Sequence, residues 1–423
     1  MSVSEAAAHL PPVRISRYQI LVLVVAWLGW VFDSMDATIY NLVLTPALRE
    51  LLGARGTPEN IGWYGGIILA IFLLGWAAGG VVFGILADYI GRARTLVFTI
   101  LIYAAFTALA GFAHTWWQLA IYRFLTALGI GGEWAAGATL VAEVWPESLR
   151  VKGAGWLQSA WGAGYFLAAG VNILLSKHSW RVMFFVGLVP ALVALLARLK
   201  VREPERWQAA KKSGGRRLTL LELFEPGHRR DTIVGSALAF VAVFGLWGAT
   251  NWTPSLVREL LAPRRLGASD ITKLAGYAVM SLNAGSILGY FAFPPLAERI
   301  GRRGAFFVML LGAAIAVPAT FFLPTTYSTV MMILPALGFF TNGIFSGFPV
   351  YLPELYPTRI RATGAGFCFN AGRVLASSGP FLTGYLVVHL GTFARAASSI
   401  ALIYLCGMAV LRYARETKGQ ALS

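Results

Sequence analysis

The sequence predicts an all-α membrane protein of twelve transmembrane helices in two pseudo-symmetric six-helix halves. Three observations carry that expectation. Hydrophobic residues make up 57% of the 423-residue chain and charged residues only 13%, too apolar a balance for a soluble domain. Apolar runs of roughly 20 residues, enough to cross about 30 Å of hydrocarbon, recur along nearly the whole length. Two distinct motifs also occur twice each, at almost one spacing.

Read between charged breaks, the first six spans fall near residues 18–46, 61–86, 94–112, 116–142, 153–175 and 181–199. The second six fall near 232–257, 275–296, 304–323, 327–351, 362–388 and 394–411. Residues 1–17 are a short polar and basic lead-in, without the form of a cleavable leader. Between the two sets lies the longest polar stretch, centred on Lys211, Lys212, Arg216 and Arg217. The expected division is 1–200 for the amino-terminal half, 201–230 for a cytoplasmic linker and 231–423 for the carboxy-terminal half. An amphipathic helix is expected within the linker at Leu218–Phe224. The 46 glycines suit close helix packing in lipid, and the 14 tryptophans suit packing and headgroup-level anchoring.

The repeat fixes the relation between the halves. Gly84-Ile-Leu-Ala-Asp88-Tyr-Ile-Gly91-Arg92 follows the second span, and Pro294-Pro-Leu-Ala-Glu298-Arg-Ile-Gly301-Arg302 follows the eighth, offset by 210 residues. Glu143-Val-Trp-Pro146 with Arg150 follows the fourth, and Glu354-Leu-Tyr-Pro357 with Arg361 follows the tenth, offset by 211. Two motifs at nearly one offset mean two six-helix units in the same orientation, the architecture of an alternating-access transporter.

The net charge of +16 invites a nucleic-acid partner, but its placement argues otherwise. With both termini inside, the cytoplasmic segments hold 24 of the 35 Lys and Arg, the external loops 9, and the spans only Arg123 and Arg373. That asymmetry reports orientation in a cell inner membrane, not a polyanion. Cys368 and Cys406 sit in apolar runs without metal-ligand spacing, and no phosphate-cradling Gly-x4-Gly-Lys-Ser/Thr loop occurs. Neither an enzyme, a cofactor nor ATP-driven transport is expected, and short external loops favour a monomer.

On these motifs the chain resembles the major facilitator superfamily over essentially its full length. Gly84–Arg94 resembles the family's signature loop between helices 2 and 3, and Arg123 through Glu133 its helix-4 motif. Val201–Trp207 and Glu416–Gly419 resemble sugar-porter markers that end each half. Asp33-Ser-Met-Asp36, Gly-Gly-Glu-Trp134 and Asn370-Ala-Gly-Arg373 are similar to the sialate/monocarboxylate and aromatic-acid proton symporters within it. The resemblance implies proton-coupled symport of a small organic anion, such as lactate, pyruvate, or a sialic or aromatic acid. Sugar symport and metabolite or drug export are the alternatives.

The repeat also sorts the charges. Asp88, Arg92, Glu143 and Arg150 recur as Glu298, Arg302, Glu354 and Arg361, at helix ends where opposite charges can pair. The resemblance implies a gating network there that latches the outward-facing state. Asp33, Asp36, Arg123, Glu133 and Arg373 have no charged counterpart 211 residues away. An ionisable group at the bilayer centre costs at least ~2.5 kcal/mol, so each needs a cavity or a partner.

Asp33 and Asp36 share one helix face, and counting at 1.5 Å per residue brings Asp36 within roughly 5 Å of the depth of Arg123. Arg stays charged, so the aspartate is the partner that titrates. The family's helix-1 Asp and helix-4 Arg carry the proton in sugar symporters, and Asp36 and Arg123 match those positions. Asp33 and Glu133 are further protonation candidates, with a packing role open for Glu133. Arg373, near the midplane, suits bidentate recognition of a carboxylate, with Asn370 one turn before it. A tie to a helix carbonyl is its alternative. Asn251, Trp252, Gln158, Trp161 and Asn342 are weaker substrate-binding candidates, and Trp27, Trp30 and Trp76 could form apolar walls.

Overall fold

The computed structural model describes residues 15–175, 178–198, 200–212, 219–250, 253–264, 266–376, 386, 389–420 and 422. The first group of long helices is α1 (Arg17–Leu52), α2 (Pro58–Ile90), α3 (Arg92–Ala110), α4 (Trp116–Val144), α5 (Arg150–Leu175) and α6 (Trp180–Arg198). Short helices α7 (Glu205–Lys212) and α8 (Thr219–Glu222) follow. The second group is α9 (Arg229–Thr250), α10 (Thr253–Leu261), α11 (Ala268–Phe322), α12 (Tyr327–Gly343), α13 (Phe348–Glu354), α14 (Arg361–Ala376), α15 (Phe393–Ile400) and α16 (Leu402–Val410). The described residues contain no strand, and seven of their helices are long and apolar enough to cross a membrane.

Local sequence sets the helix starts. Ser16 and Gln19 form a capping box at α1, Thr57 caps α2 ahead of Pro58, and Thr115 caps α4 through the Gln118 amide. The starts of α3 and of the second part of α11 use a different device. Glu203 accepts from the Ala93 and Arg94 amides at 3.2 and 3.0 Å, and Glu416 accepts from the Arg302 and Arg303 amides at 2.9 and 3.1 Å. Each carboxylate fills the place a Cβ would take at Gly91 (φ 116°) or Gly301 (φ 83°). Both backbone conformations favour glycine. The two sugar-porter-like markers therefore act as remote caps, one from the segment before α7 and one from the carboxy-terminal tail.

The expected spans 275–296 and 304–323 lie on either side of a kink in α11 at the non-helical Gly301, as two separate spans. The expected span 232–257 is covered by α9 and α10, with residues 251 and 252 between them outside the described residues. The linker differs from the sequence reading. The linker helix expected at Leu218–Phe224 is a single turn, Thr219–Glu222, and the longer linker helix is α7. Trp207 anchors α7, donating from Nε1 to the Asp88 carbonyl at 3.0 Å.

Within the first group α2 packs along α4, α3 along α4, and α1 along α5; within the second, α11 packs on α12 and α9 on α14. The groups meet where α14 packs on α2 and α11 on α5. Glycine permits this approach at Gly80, where a Cβ would collide with the Asn370 amide. Large apolar side chains such as Leu174, Leu288, Ile315 and Met332 face outward, the surface lipid rewards and water penalises.

Candidate translocation site

A cavity of about 390 Å³ lies between α1, α2 and α5 on one side and α9, α11, α12 and α14 on the other. That volume suits a small-molecule ligand. Its densest wall is aromatic. The rings of Trp30, Trp76 and Trp161 touch one another, with centroids 6.3, 5.4 and 5.9 Å apart, and Phe72 meets Trp76 edge-on at 5.6 Å. Two contacts between α1 and α5 set this wall: Ser34 Oγ donates to the Trp161 carbonyl at 2.6 Å, and Trp27 Nε1 donates to Ser159 Oγ at 3.1 Å.

Arg373 crosses to this wall from α14. Its guanidinium lies 3.9 Å over the Trp76 ring and 5.1 Å from Phe369. It lines the cavity, is only 6% exposed, and makes no hydrogen bond or ion pair with any described residue. The helix-carbonyl tie weighed as its alternative is not made among the described residues. Stacking on an indole holds a desolvated cation in place while leaving its donors unspent.

Of the other expected contacts, Gln158, Trp161 and Asn342 line the cavity. Tyr290 joins two of them across the groups: its hydroxyl donates to Asn342 Oδ1 at 3.2 Å and accepts from Gln158. Asn370 does not line it. Its amide donates back to the Gly366 carbonyl at 2.8 Å and packs against Gly80 instead. Asn251 and Trp252 lie outside the described residues. Thr38, Tyr40, Tyr165, Thr250, Asn283 and Tyr290 also line the cavity, and sequence reasoning missed all six. Neutral polar residues in apolar spans give no signal of that kind.

Asp36 and Arg123 meet as their depths required. Arg123 Nη1 donates to Asp36 Oδ2 at 2.7 Å, and Thr107 Oγ1 donates to Asp36 Oδ1 at 2.9 Å. The guanidinium is ringed by Tyr40, Phe72 and Phe184 at 5.0, 4.5 and 5.9 Å, and its Nε and Nη2 have no partner among the described residues. Neither Asp36 nor Arg123 lines the cavity, but Tyr40 and Phe72 do. One layer of rings therefore separates the ion pair from the cavity. Asp33 and Glu133 are also buried and also stand off it. Trp134, beside Glu133, stacks on Phe369 of α14 at 3.9 Å and 12°.

Below the cavity the paired charges interlock the two groups. Glu143 Oε1 takes Arg92 at 3.0 Å and, from the other group, Arg361 at 2.9 Å. Glu354 Oε1 takes Arg302 at 2.9 Å and, from the other group, Arg150 at 3.4 Å. Each bridging arginine also donates through Nε to its neighbour's carbonyl, Arg361 to Pro353 and Arg150 to Ala142. The first pair in each motif breaks this symmetry. Asp88 pairs with Arg92 at 3.0 Å and caps α14, accepting from the Ala362 and Thr363 amides at 3.2 and 2.8 Å. Glu298 is not its equivalent: Arg302 goes to Glu354, and Glu298 faces Lys152 at 4.0 Å. Asp88 meets a helix amino terminus, where backbone amides favour an anion, whereas Glu298 is partly exposed.

The chain matches the Major Facilitator Superfamily over residues 26–380. It is 33% identical over 403 residues to the "Probable 4-methylmuconolactone transporter" of Cupriavidus pinatubonensis, covering 93% of this chain and 90% of that one. It is 30% identical over 369 residues to the sialic acid transporter NanX of Escherichia coli, covering 86% and 87%. Among solved structures it resembles the proton:xylose symporter XylE with a TM-score of 0.79 and 18% identity, covering 96% of this chain and 98% of that one.

Proposed function

Because this chain belongs to the Major Facilitator Superfamily, we propose that it is a proton-coupled symporter of a small organic anion. It works by alternating access between two six-helix halves, 1–200 and 231–423, joined by the 201–230 linker. The observation that carries this reading is Arg373, a cavity cation stacked on Trp76 and without a carboxylate partner among the described residues. A planar guanidinium fork accepts a carboxylate in bidentate fashion. The indole wall beside it favours a flat, unsaturated acid over a saturated one. The relatives named for 4-methylmuconolactone and for sialic acid support an organic acid as cargo.

Asp36 is the proton carrier and Arg123 its resident counter-charge; the ring layer keeps the substrate carboxylate off Arg123. The hydrogen bonds and ion pairs at the 88–94 and 298–303 end close the cytoplasmic side, so the cavity belongs to an outward-facing state in an inner membrane with both termini inside. A proton on Asp36 and an acid on Arg373 enter together, the Glu143–Arg361 and Glu354–Arg150 bridges part, and both leave inside.

A thermal-shift panel on purified protein tests the substrate class, using benzoate, nicotinate, lactate, pyruvate, sialic acid and hexoses. Stabilisation by the planar acids, with proton-gradient-driven uptake of the best of them into proteoliposomes, is the expected result. Stabilisation by hexoses alone would remove the anion reading.

A further inference from the structure

We propose that the proton leaves Asp36 by a relay inside the first helix group, through Thr126 and Tyr103 to Asp33 and Glu133, without entering the substrate cavity. The proposal rests on the symport reading above and adds a route and two positioning residues to it.

The register of α1, α3 and α4 carries the argument. A Cβ at Gly137 of α4 would touch Ala26 of α1 at 3.9 Å and Leu96 of α3 at 4.0 Å, so those three positions share one level and face one another. Seven residues on, two helical turns along nearly the same face, α1 presents Asp33 and α3 presents Tyr103. A Cβ at Gly129 of α4 would meet the Tyr103 amide at 2.8 Å and the Thr99 carbonyl at 2.7 Å, which fixes α4 at the same height. Thr126 and Glu133 flank Gly129 by about one turn on each side and point into this groove with Gly137. One turn further from the gate lie Asp36, Arg123 and Thr107, already joined by hydrogen bonds.

The groove therefore stacks polar groups in order: Asp36 with Thr107 and Arg123, then Thr126, then Asp33 with Tyr103 at the height of Gly129, then Glu133. Asp33, Asp36, Tyr103, Thr126 and Glu133 are all at most 3% exposed, and none lines the cavity. Along α4 the rise is about 4.5 Å from Arg123 to Thr126 and about 10.5 Å from Thr126 to Glu133. Asp33 with Tyr103, level with Gly129, divides the second interval into steps of about 4.5–6 Å, each a span one hydroxyl or one water bridges. The Thr126 hydroxyl and two nitrogens of Arg123 are buried with no partner among the described residues. Buried donors of this kind call for a hydrogen-bonded neighbour such as water, which completes a chain. Along it the Asp36 carboxyl gives up its proton while Asp33 gains one. Each intervening hydroxyl accepts one proton and passes its own on, so charge and atoms balance. Glu133 is the last carboxylate on the route. Its neighbour Trp134 is stacked on Phe369 of the other group, so parting of the gate uncovers Glu133 to the cytoplasmic side.

The test uses full-length protein in proteoliposomes, with radiolabelled nicotinate as probe and an internal pH dye. Thr126→Val and Tyr103→Phe keep side-chain size and remove one hydroxyl each. Expected is a loss of about tenfold to a hundredfold in gradient-driven uptake and proton entry, the low range for a positioned proton-transfer group. Counterflow exchange of nicotinate at symmetric pH is expected within twofold of wild type in both variants, and Thr126→Ser restores coupling. A merely structural role would lower exchange and coupling together, and that outcome overturns the relay. Full coupling in both variants overturns it as well while leaving the symport reading intact. Absence of proton-coupled uptake of nicotinate and benzoate in the wild type overturns the symport reading, and the relay with it.

Discussion

Two buried arginines of this molecule stand in opposite surroundings. Arg123, in the first helix group, is neutralised by Asp36 at 2.7 Å and caged by three aromatic rings behind the cavity wall. Arg373, in the second, has no carboxylate among the described residues and lies bare on one indole inside the cavity. A paired buried arginine is a fixed element whose partner can titrate. One with no partner among the described residues keeps its donors available, and stacking and access to the cavity offset its desolvation. Two cations of equal rarity thus have opposite surroundings, and the difference lies in what stands within 4 Å of each.

Substitutions at the two sites should separate accordingly. The largest effect is expected at Arg373. Arg373→Ala removes charge-assisted hydrogen bonds worth about 3 kcal/mol to a carboxylate, so nicotinate Kd by calorimetry should rise roughly a hundredfold. Arg373→Lys should rescue little, because a point charge neither forks nor stacks as guanidinium does. Next come the interlocking carboxylates. Glu143→Gln and Glu354→Gln each remove the carboxylate charge that bridges to an arginine of the opposite group. Distance measurements between spin labels on α2 and α14 at the gate end should show a shift toward inward-open populations of about 1–3 kcal/mol.

Trp76→Leu should have a smaller effect. It keeps apolar bulk and removes the cation–π contact, raising nicotinate Kd by about fivefold to tenfold, or about 1 kcal/mol. The smallest effect is expected at the linker. Arg206 pairs with Glu147 at 2.9 Å and holds that carboxyl below its ordinary value. This pair contributes fully above the ordinary glutamate value and is lost as pH falls through the depressed one. Both side chains are about two-fifths exposed, so Glu147→Gln should change uptake less than about twofold at neutral pH.

The contrast between the arginines also explains what the sequence revealed. Charges inside apolar spans stand out because insertion makes each one costly, so Asp36, Arg123 and Arg373 could be found by inspection and the first pair by counting helix rise. Glu143, Glu354 and their arginines were legible through duplication. Duplication says nothing about partners, however. That Arg361 crosses to Glu143 and Arg150 to Glu354, while Glu298 turns to Lys152, depends on how the two groups dock. Tyr40 and Phe72, which divide the ion pair from the cavity, carry no contrast against an aromatic-rich background. Asn370 misled for a related reason. One-turn spacing placed it near Arg373, but the close approach of Gly80 draws its amide away from the cavity. The roles of Glu203 and Glu416 were hidden in markers whose function is to reach back and cap a helix far away in sequence.

The central claim is that proton and anion occupy separate sites, one at Asp36 and one at Arg373. Asp36→Asn in proteoliposomes tests it most directly, with nicotinate uptake measured under an inward proton gradient and counterflow exchange measured without one. Gradient-driven accumulation is expected to vanish while exchange stays close to wild type, because the Asn carbonyl accepts from Arg123 and its amide N–H donates to the Thr107 oxygen, while the side chain has no proton to exchange. Full gradient-driven accumulation by the variant would contradict it.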